Sequence, residues 1–561
     1  MGITSKLAAL SPFGHKEHGD DEGEAFDPTS VAGGGLGHSQ ESDAQLRVSQ
    51  RLRKFIADNG ILDTEHAGVG SDDTPQALRD LVSRPHFRVP PAVIDRSHPL
   101  TDYYMSSSHN TYLLAHQLYG TSCPTGYEMA LKTGARCVEI DAWDNSADQD
   151  EPKVTHGFTL VSSISFRSVC ETIRDVVDAE QAEYEKNPHD RPAPIFLSLE
   201  NHCGAHGQQR LVDIMNEVWG DRLLGAAARA KGHQEEIDDS VRVRLDELES
   251  KICVMVEYHF DDEPDGEDGD EGGDEDAGAD PDADADQAKA YDAQKKAAAA
   301  KAKAIIPALA SIGVYAQSVK PPNNSWFESS LDKAPHNHLI NISESALGAH
   351  LPAQASKIAN HNAQHLMRVY PRGTRIRSSN LRPVPFWGIG AQVCALNWQR
   401  FGVNMQLNHA MFAGTDGYVL KPAYLRGNPI PALPTGRRRL RLRVAGASDA
   451  PPFTAPYVSC VLIHPNDLKN DPPKRKTGKD REENVDPMWD ETLEWEYDES
   501  ELVFLRILLK SDEKMARNPV LTATTLRLLY AVPGWSFMRM WDLGGHLTKT
   551  SLLVHIDIEE I

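Results

Sequence analysis

Cys137-Val138-Glu139-Ile140-Asp141-Ala142-Trp143-Asp144 is a short apolar run that closes on carboxylates. Three other stretches share its build. Upstream lies Ser106-Ser107-Ser108-His109-Asn110-Thr111-Tyr112; downstream lie Val154-Thr155-His156-Gly157-Phe158-Thr159 and Phe196-Leu197-Ser198-Leu199-Glu200-Asn201-His202-Cys203. An apolar run ending in a polar or charged residue is how a barrel strand looks when its carboxyl end carries chemistry. The four runs together offer three histidines, two amides and four carboxylates. That set suits a hard cation and acid–base work on a phosphate ester.

The surrounding chain fits such strands. Between about 97 and 260, strands are predicted at Tyr103–Ser106, Cys137–Asp141, Ile195–Glu200 and Ile252–Glu257, and helices at Val169–Tyr184 and Arg210–Trp219. The alternation predicts a parallel α/β sheet or barrel. It stops at an acidic tract: residues 261–286 hold 15 Asp and Glu and no Lys or Arg, followed by an Ala/Lys run. Such a tract cannot bury apolar area and is expected to be disordered. Strand-like segments resume at Gly313–Val319 and Ala391–Asn397, with a helix predicted over Asn341–Ala359. Past Gly436, the short alternating runs Leu440–Val444, Tyr457–Ile463, Thr492–Tyr497, Phe504–Leu509 and Leu552–Ile558 predict an antiparallel β-sandwich.

The net charge of -24 is concentrated in the acidic tract, and no domain-scale basic excess exists. Nucleic-acid binding is therefore disfavoured. Seven widely spaced cysteines point to reduced thiols and a cytoplasmic protein. No stretch of 18 or more apolar residues predicts a membrane span. Residues 1–43, rich in Gly, His, Asp and Ser, are read as disordered. Residues 44–96 are read as a short helical segment packing on the next domain. Within it, Ala57-Asp58-Asn59-Gly60-Ile61-Leu62-Asp63 glances at an EF-hand loop, as a remnant would, but lacks the alternating oxygen ligands and closing Glu.

The chain resembles the eukaryotic phosphoinositide-specific phospholipases C. The runs His98-Pro99-Leu100 through Tyr112, Glu139 through Asp144, His156-Gly157, Ser198 through Cys203, and Gly417-Tyr418-Val419-Leu420-Lys421-Pro422 match that family in order. The resemblance implies an α/β TIM barrel split by an acidic linker. Residues 97–260 would be its X half, 261–311 the linker, 312–427 the Y half, and 436–561 a C2-type sandwich. It implies a hydrolase that cleaves phosphatidylinositol phosphates to diacylglycerol and inositol phosphates through a cyclic phosphodiester, in lipid signalling. His109 and His156 match the family's catalytic histidines; Asn110, Glu139, Asp141 and Glu200 match its Ca²⁺ ligands, with Glu139 or Glu200 also serving as base. Two other readings remain: a membrane scaffold built on a retired phospholipase, and a glycerophosphodiester phosphodiesterase. All six residues being present argues against the first, the Y half and the sandwich against the second.

The resemblance also assigns Ser345, Arg368 and Tyr370 to the inositol headgroup. An Arg fork suits a phosphate and an aromatic face suits a ring. The family strand that usually ends Lys-Gly-Lys reads Met255-Val256-Glu257 here, so a weakened preference for a 5-phosphate is expected, unless Lys320 or Arg377 compensates. A peripheral monomer on an anionic, phosphoinositide-bearing membrane is expected, with Leu118, Phe158 and Leu160 touching the bilayer. The basic run Gly436-Arg437-Arg438-Arg439-Leu440-Arg441 is either a second lipid contact or a solvated strand edge. Family members that bind Ca²⁺ in the sandwich carry several Asp residues in its end loops; only Asp512 and Glu513 are read as remaining here, too few for a good oxygen cage.

Overall fold

The computed structural model describes residues 46–114, 122–155, 162–187, 191–235, 238, 241–257, 304–319, 326–328, 337–373, 375, 378–427, 429–468, 471–482, 485–512 and 519–561. Residues 1–43, the acidic tract, His156, Leu118, Phe158, Leu160, Lys320, Arg377 and Glu513 lie outside the described residues.

The first sheet contains β1 (Tyr103–His109), β2 (Cys137–Trp143), β3 (Lys153–Val154), β4 (Ile164–Ser165), β5 (Ile195–His202), β6 (Ile252–Glu257), β7 (Gln317–Val319), β8 (His338–Ser343), β9 (Leu366–Tyr370), β10 (Val393–Asn397) and β11 (Tyr418–Leu420). Among the described residues, eight of these run parallel and close in the order β1-β2-β5-β6-β7-β8-β9-β10 and back to β1. Four come from each side of the acidic tract, which is the expected split TIM barrel. Pro307–Ile312, at the end of the span read as linker, forms a helix with Leu309 buried.

Alternate residues of each strand face the barrel axis. Toward the amino-terminal end these are apolar: Tyr103, Met105, Cys137, Phe196, Cys253, Met255, Leu339, Leu366 and Val393 belong to one buried cluster. Toward the carboxyl end the same faces turn polar, through Glu139 and Arg368 to His109, Asp141, Glu200 and Asn397. The outward faces, among them Val138, Ile140, Leu197, Leu199 and Val254, pack beneath helices. Phe166–Lys186 shows why: Ser165 accepts from the Ser168 N–H as its cap, and Phe166, Val169, Cys170, Ile173, Val176 and Val177 form a buried stripe at helical spacing. Each such buried side chain contributes about 1.5–3 kcal/mol.

Asn341–Ala359 departs from its predicted helix. Asn341-Ile342-Ser343 completes β8, and helices Glu344–Ala349 and Ala355–Asn362 follow. The ring requires a strand between β7 and β9, and Ser343 starts the helix by accepting from the Ala346 N–H. The amino-terminal helices Gln50–Asp58 and Gln76–Val82 dock on the sandwich instead of the barrel. Leu52, Phe55 and Ile56 find Ala445, Phe537 and Leu553 there. Asp63 accepts from the backbone N–H of His66 and meets its Nδ1.

The second sheet is antiparallel: β12 (Arg437–Ser448), β13 (Tyr457–Ile463), β14 (Lys474–Lys476), β15 (Met488–Asp498), β16 (Phe504–Lys510), β17 (Val520–Arg527), β18 (Gly534–Trp541) and β19 (Leu547–Glu560). It forms the expected sandwich, resembling a C2 domain, around Leu440, Leu442, Val458, Ile507, Met538 and Val554. Phe504 and Tyr530 join the barrel's outer core, and Arg506 Nε donates to Gln406 Oε1 at 2.8 Å, so the two units share one interior. The basic run is neither a bare patch nor an edge. β12 lies between β15 and β19, and Arg437, Arg439 and Arg441 pair with Glu494, Glu496, Asp557 and Glu559. All seven cysteines are free thiols, six of them buried. Among the described residues no helix is long and apolar enough to cross a membrane.

Candidate active site

The carboxyl ends of β1, β2 and β5 converge. Register places Asp141 beside Glu200 and Glu139 beside Ser198, and a two-residue step puts Glu139 and Asp141 on the same inward face. Glu139, Asp141 and Glu200 offer oxygens within 4.8 Å of one another. Glu139 is 1 % exposed, and so is its ion-pair partner Arg368 from β9. Arg368 also donates to Asn341 Oδ1 at 3.1 Å, and its guanidinium lies 5.9 Å from the Tyr370 ring. Asp141 accepts from the Tyr112 hydroxyl at 2.5 Å through Oδ2, while its buried Oδ1 has no hydrogen-bond partner.

Charge is unevenly resolved here. Burial opposes ionisation of Glu139, but Arg368, His109 and the Asn110 N–H outweigh it and hold the pKa down at about 2. Asp141 is pushed well above the carboxylate range by burial and by the charge of Glu139. Glu200 moves the same way, through burial and then Asp141 and Glu139; its side chain is 39 % exposed, so water tempers the effect. Two buried carboxylates and a half-buried one facing one guanidinium, with an orphaned oxygen, form a donor set that fits a divalent cation. Asn110 sits at φ 46°, a left-handed turn that brings its backbone N–H within 2.6 Å of Glu139 Oε2.

His109 ends β1 opposite Asn397 of β10. Asn397 Nδ2 donates to the Ser379 carbonyl at 2.8 Å, so its Oδ1 is the atom facing His109 Nδ1, also at 2.8 Å. An amide oxygen only accepts; His109 Nδ1 therefore carries a proton, and Nε2 faces Glu139 Oε2 at 3.8 Å. Burial lowers the pKa of His109, against the pull of Glu139.

Of the residues assigned from sequence, His109, Asn110, Glu139, Asp141, Glu200 and Arg368 are brought together at this end, with Tyr370 at the strand end and Ser345 in the helix that follows β8. Met255 is in the apolar floor, and Glu257 ends β6 close enough to Glu200 to raise its pKa. Asn397, Tyr112 and Glu344 were not singled out. Glu344 accepts from Arg375 Nη2 at 2.8 Å and from the Arg372 N–H at 3.0 Å, pinning the loop after β9. Asn397 had a readable signal, since Ala395-Leu396-Asn397 is again an apolar run ending in a polar residue.

The sandwich loops hold a second acidic group. Asp449, Asp480, Asp486 and Asp512 follow β12, β14 and β16 at one end of the sheet. Arg47 pairs with Asp449 and Asp486, Arg51 lies 3.7 Å from Asp480, and Lys479 meets Asp512 at 2.7 Å.

Comparisons with known proteins agree with this geometry. Residues 96–258 match the description "Phosphatidylinositol-specific phospholipase C, X domain", and residues 309–424 match the corresponding Y domain. The 1-phosphatidylinositol 4,5-bisphosphate phosphodiesterase zeta-1 of Rattus norvegicus is 30 % identical over 499 residues, covering 82 % of this chain and 74 % of that protein. The delta-3 enzyme of Mus musculus is 32 % identical over 483 residues, covering 83 % and 57 %. The crystal structure of S. officinalis PLC21 shares the fold with a TM-score of 0.68 at 22 % identity, over 96 % of this chain and 65 % of that one. A closed barrel built from an X and a Y half, an acidic cluster at its carboxyl end, and kinship along four-fifths of the length lead to one conclusion: the chain belongs to the phosphatidylinositol-specific phospholipase C family and is a phosphoinositide hydrolase.

Proposed function

We propose that the enzyme is Ca²⁺-dependent and cleaves phosphatidylinositol phosphates in two steps, releasing diacylglycerol and then inositol phosphate. The observation that carries the metal is the buried, unpartnered Asp141 Oδ1 within the cluster of Glu139, Asp141 and Glu200. These three and Asn110 would hold the ion. When bound, Ca²⁺ lowers the pKa of the inositol 2-hydroxyl and offsets phosphate charge.

The side chains divide the remaining work. Glu200 is the better base of the two candidates. Glu139 is kept ionised by Arg368 and binds protons weakly, whereas Glu200 is raised. Glu200 takes the 2-hydroxyl proton as that oxygen attacks phosphorus and the bond to the glycerol oxygen breaks. His156 gives the leaving oxygen its proton, then takes one from the water that opens the cyclic diester. His109 spends its Nδ1 proton on Asn397, so it donates to the phosphoryl oxygen only as imidazolium, through Nε2. The neighbouring hydroxyl attacks within the same molecule, so proximity supplies much of the rate.

Ser345, Arg368 and Tyr370 are the proposed headgroup wall. The relatives' names specify the 4,5-bisphosphate. Here an apolar Met255 and an acidic Glu257 stand on β6, which supports a weak demand for the 5-phosphate. A peripheral cytoplasmic monomer, touching an anionic bilayer through Leu118, Phe158 and Leu160, completes the proposal. The test is release of water-soluble headgroup from vesicles differing only in phosphoinositide, at buffered Ca²⁺ and in excess chelator. Undiminished release in chelator sinks the metal role.

A further inference from the structure

At the opposite end of the barrel, three histidines meet outside the catalytic cavity. His338 opens β8. Its neighbour Leu339 packs in the interior cluster, so His338 points outward, on the side of Ile340, toward the helix Ala355–Asn362. That helix carries His361 in its last turn, and His365 follows four residues later. The ring centroids lie 4.1 Å apart for His338 and His365, 5.0 Å for His361 and His365, and 5.5 Å for His338 and His361. Two of the rings aim nitrogens at each other: His338 Nε2 and His361 Nε2 are separated by 3.2 Å.

The tautomer of His361 follows from its neighbour. Asn362 is fully buried, and its Nδ2 donates to the Ile389 carbonyl at 2.9 Å. Its Oδ1 is therefore the atom 3.1 Å from His361 Nδ1. An amide oxygen cannot donate, so Nδ1 holds the proton and Nε2 presents a lone pair toward His338. Metal-bound histidines are held in this way, with the far ring N–H fixed by an oxygen acceptor.

We propose that His338, His361 and His365 form a binding site for a zinc-class divalent transition-metal ion, separate from the carboxylate cluster. With Zn–N bonds of about 2.0–2.1 Å in tetrahedral array, two ligand nitrogens stand about 3.3 Å apart. The His338–His361 pair already has nearly that spacing, held by a hydrogen bond from His338 Nε2 to the His361 Nε2 lone pair, and the ion would replace that proton, which leaves to solvent. His365 is stacked on His338 at 19° and is only half-buried. Ligation would require His365 to turn a ring nitrogen toward the pair, with water in the fourth position. Three imidazoles without a carboxylate favour zinc-class ions over Ca²⁺ or Mg²⁺, which take oxygen ligands. The ion would tie the start of β8 to the helix behind it. Trp326, between β7 and β8 in the chain, packs edge-on against His361 at 4.9 Å and shields one side. Lys421 Nζ donates to the Asn362 carbonyl and adds repulsion that the ligands must overcome.

The test uses the full-length protein, stripped of metal and then titrated with Zn²⁺ in saturating Ca²⁺ by calorimetry. Wild type is expected to show one strong Zn²⁺ equivalent above the background of its other histidines. Since changes outside the ligand set alone cost about 10–100-fold, His361→Asn and His338→Asn should each weaken that equivalent by more than about 100-fold. His365→Asn, at a half-exposed position that folding tolerates, should weaken it by at least about tenfold. Co²⁺ in the same site should give the visible spectrum of a tetrahedral ion. Headgroup release at saturating Ca²⁺ should be unchanged in His365→Asn. Absence of a strong equivalent in wild type, or equal affinity in His365→Asn, overturns the proposal.

Discussion

Among the described residues, two regions gather carboxylates, and they treat them in opposite ways. At the barrel mouth, Glu139, Asp141 and Glu200 share one guanidinium, and Asp141 keeps a bare buried oxygen. At the sandwich end, Asp449, Asp480, Asp486 and Asp512 are faced by Arg47, Arg51 and Lys479. Counting acidic residues does not separate these cases. What separates them is whether the chain supplies its own cation. A cluster of buried carboxylates that outnumbers its counter-charges is costly until protons or a metal ion arrive, whereas a cluster matched by its own arginines and lysines has less left to offer an ion.

The strongest way to break the contrast is Glu139→Gln. It removes a proposed metal oxygen and leaves Arg368 without its carboxylate inside the barrel. Turnover should fall by at least about 10³-fold, and denaturant unfolding should show a loss of about 3–5 kcal/mol. Retained stability would mean that Arg368 finds another partner. Next comes His109→Ala, which should lower turnover by roughly 10²–10⁴-fold with little change in unfolding. The same drop is expected for His156→Ala. A wild-type rate in either variant removes that histidine from the mechanism.

The excess of carboxylates at the mouth should also show through pH. Asp141 and Glu200 have raised pKa values in the folded state, so their contribution favours folding below the ordinary carboxylate range near about 4. That contribution is lost as pH rises through the folded values. Glu139 is lowered and behaves oppositely: its contribution is present above the unfolded value and disappears as pH falls toward about 2. Thermal unfolding in chelator should therefore lose stability as pH rises through the folded values of Asp141 and Glu200. Added Ca²⁺ should restore it, with a larger rise in Tm at higher pH and with proton release on binding. A Ca²⁺ effect on Tm that is flat with pH would show that the pair is already ionised without metal.

The mouth was legible in the chain because each strand announces it locally. β2, β5 and β6 follow their predicted runs closely, β1 runs past its predicted end to His109, and Glu139, Asp141 and Glu200 meet near the ends of β2 and β5. β9 was not predicted as a strand, although Arg368 and Tyr370 on it were singled out, since five residues with a central arginine carry too weak an apolar signal. The sandwich cluster was illegible for a different reason. Asp512 was noticed, but Arg47 lies 402 residues from Asp449, and no local pattern reveals a pairing across that distance. The docking of the first helix on the sandwich was lost in the same way, because its apolar stripe does not say which surface covers it.

A smaller effect sharpens the reading of the mouth. Glu257 ends β6 near Glu200 and adds negative charge on the proposed headgroup side. Preference for the bisphosphate over the monophosphate should stay below about tenfold, or roughly 1.4 kcal/mol, and Glu257→Lys should move it toward the bisphosphate. Initial rates on matched vesicles decide it. A thousandfold wild-type preference would place a compensating cation nearby.

The smallest effect belongs to the sandwich. Arg47 donates through Nε to Asp449 at 2.7 Å and through Nη1 to Asp486 at 3.1 Å, and it is 45 % exposed. Exposed pairs of this kind are worth about 0–1 kcal/mol, so Arg47→Ala should cost at most about that much in unfolding and leave turnover on a soluble substrate unchanged. Its informative consequence is electrostatic. With Arg47 gone, Asp449 and Asp486 face each other without their main counter-charge, and the isolated end of the sandwich becomes more like the barrel mouth. A Ca²⁺-dependent rise in Tm beyond that of Asp141→Asn alone should then appear in Arg47→Ala carrying Asp141→Asn, where the barrel site has been disabled. If that double variant shows no Ca²⁺ response, the loop carboxylates lack the enclosure that makes an unanswered charge attract a metal. Enclosure, and not the arginine, would then be what distinguishes the two regions.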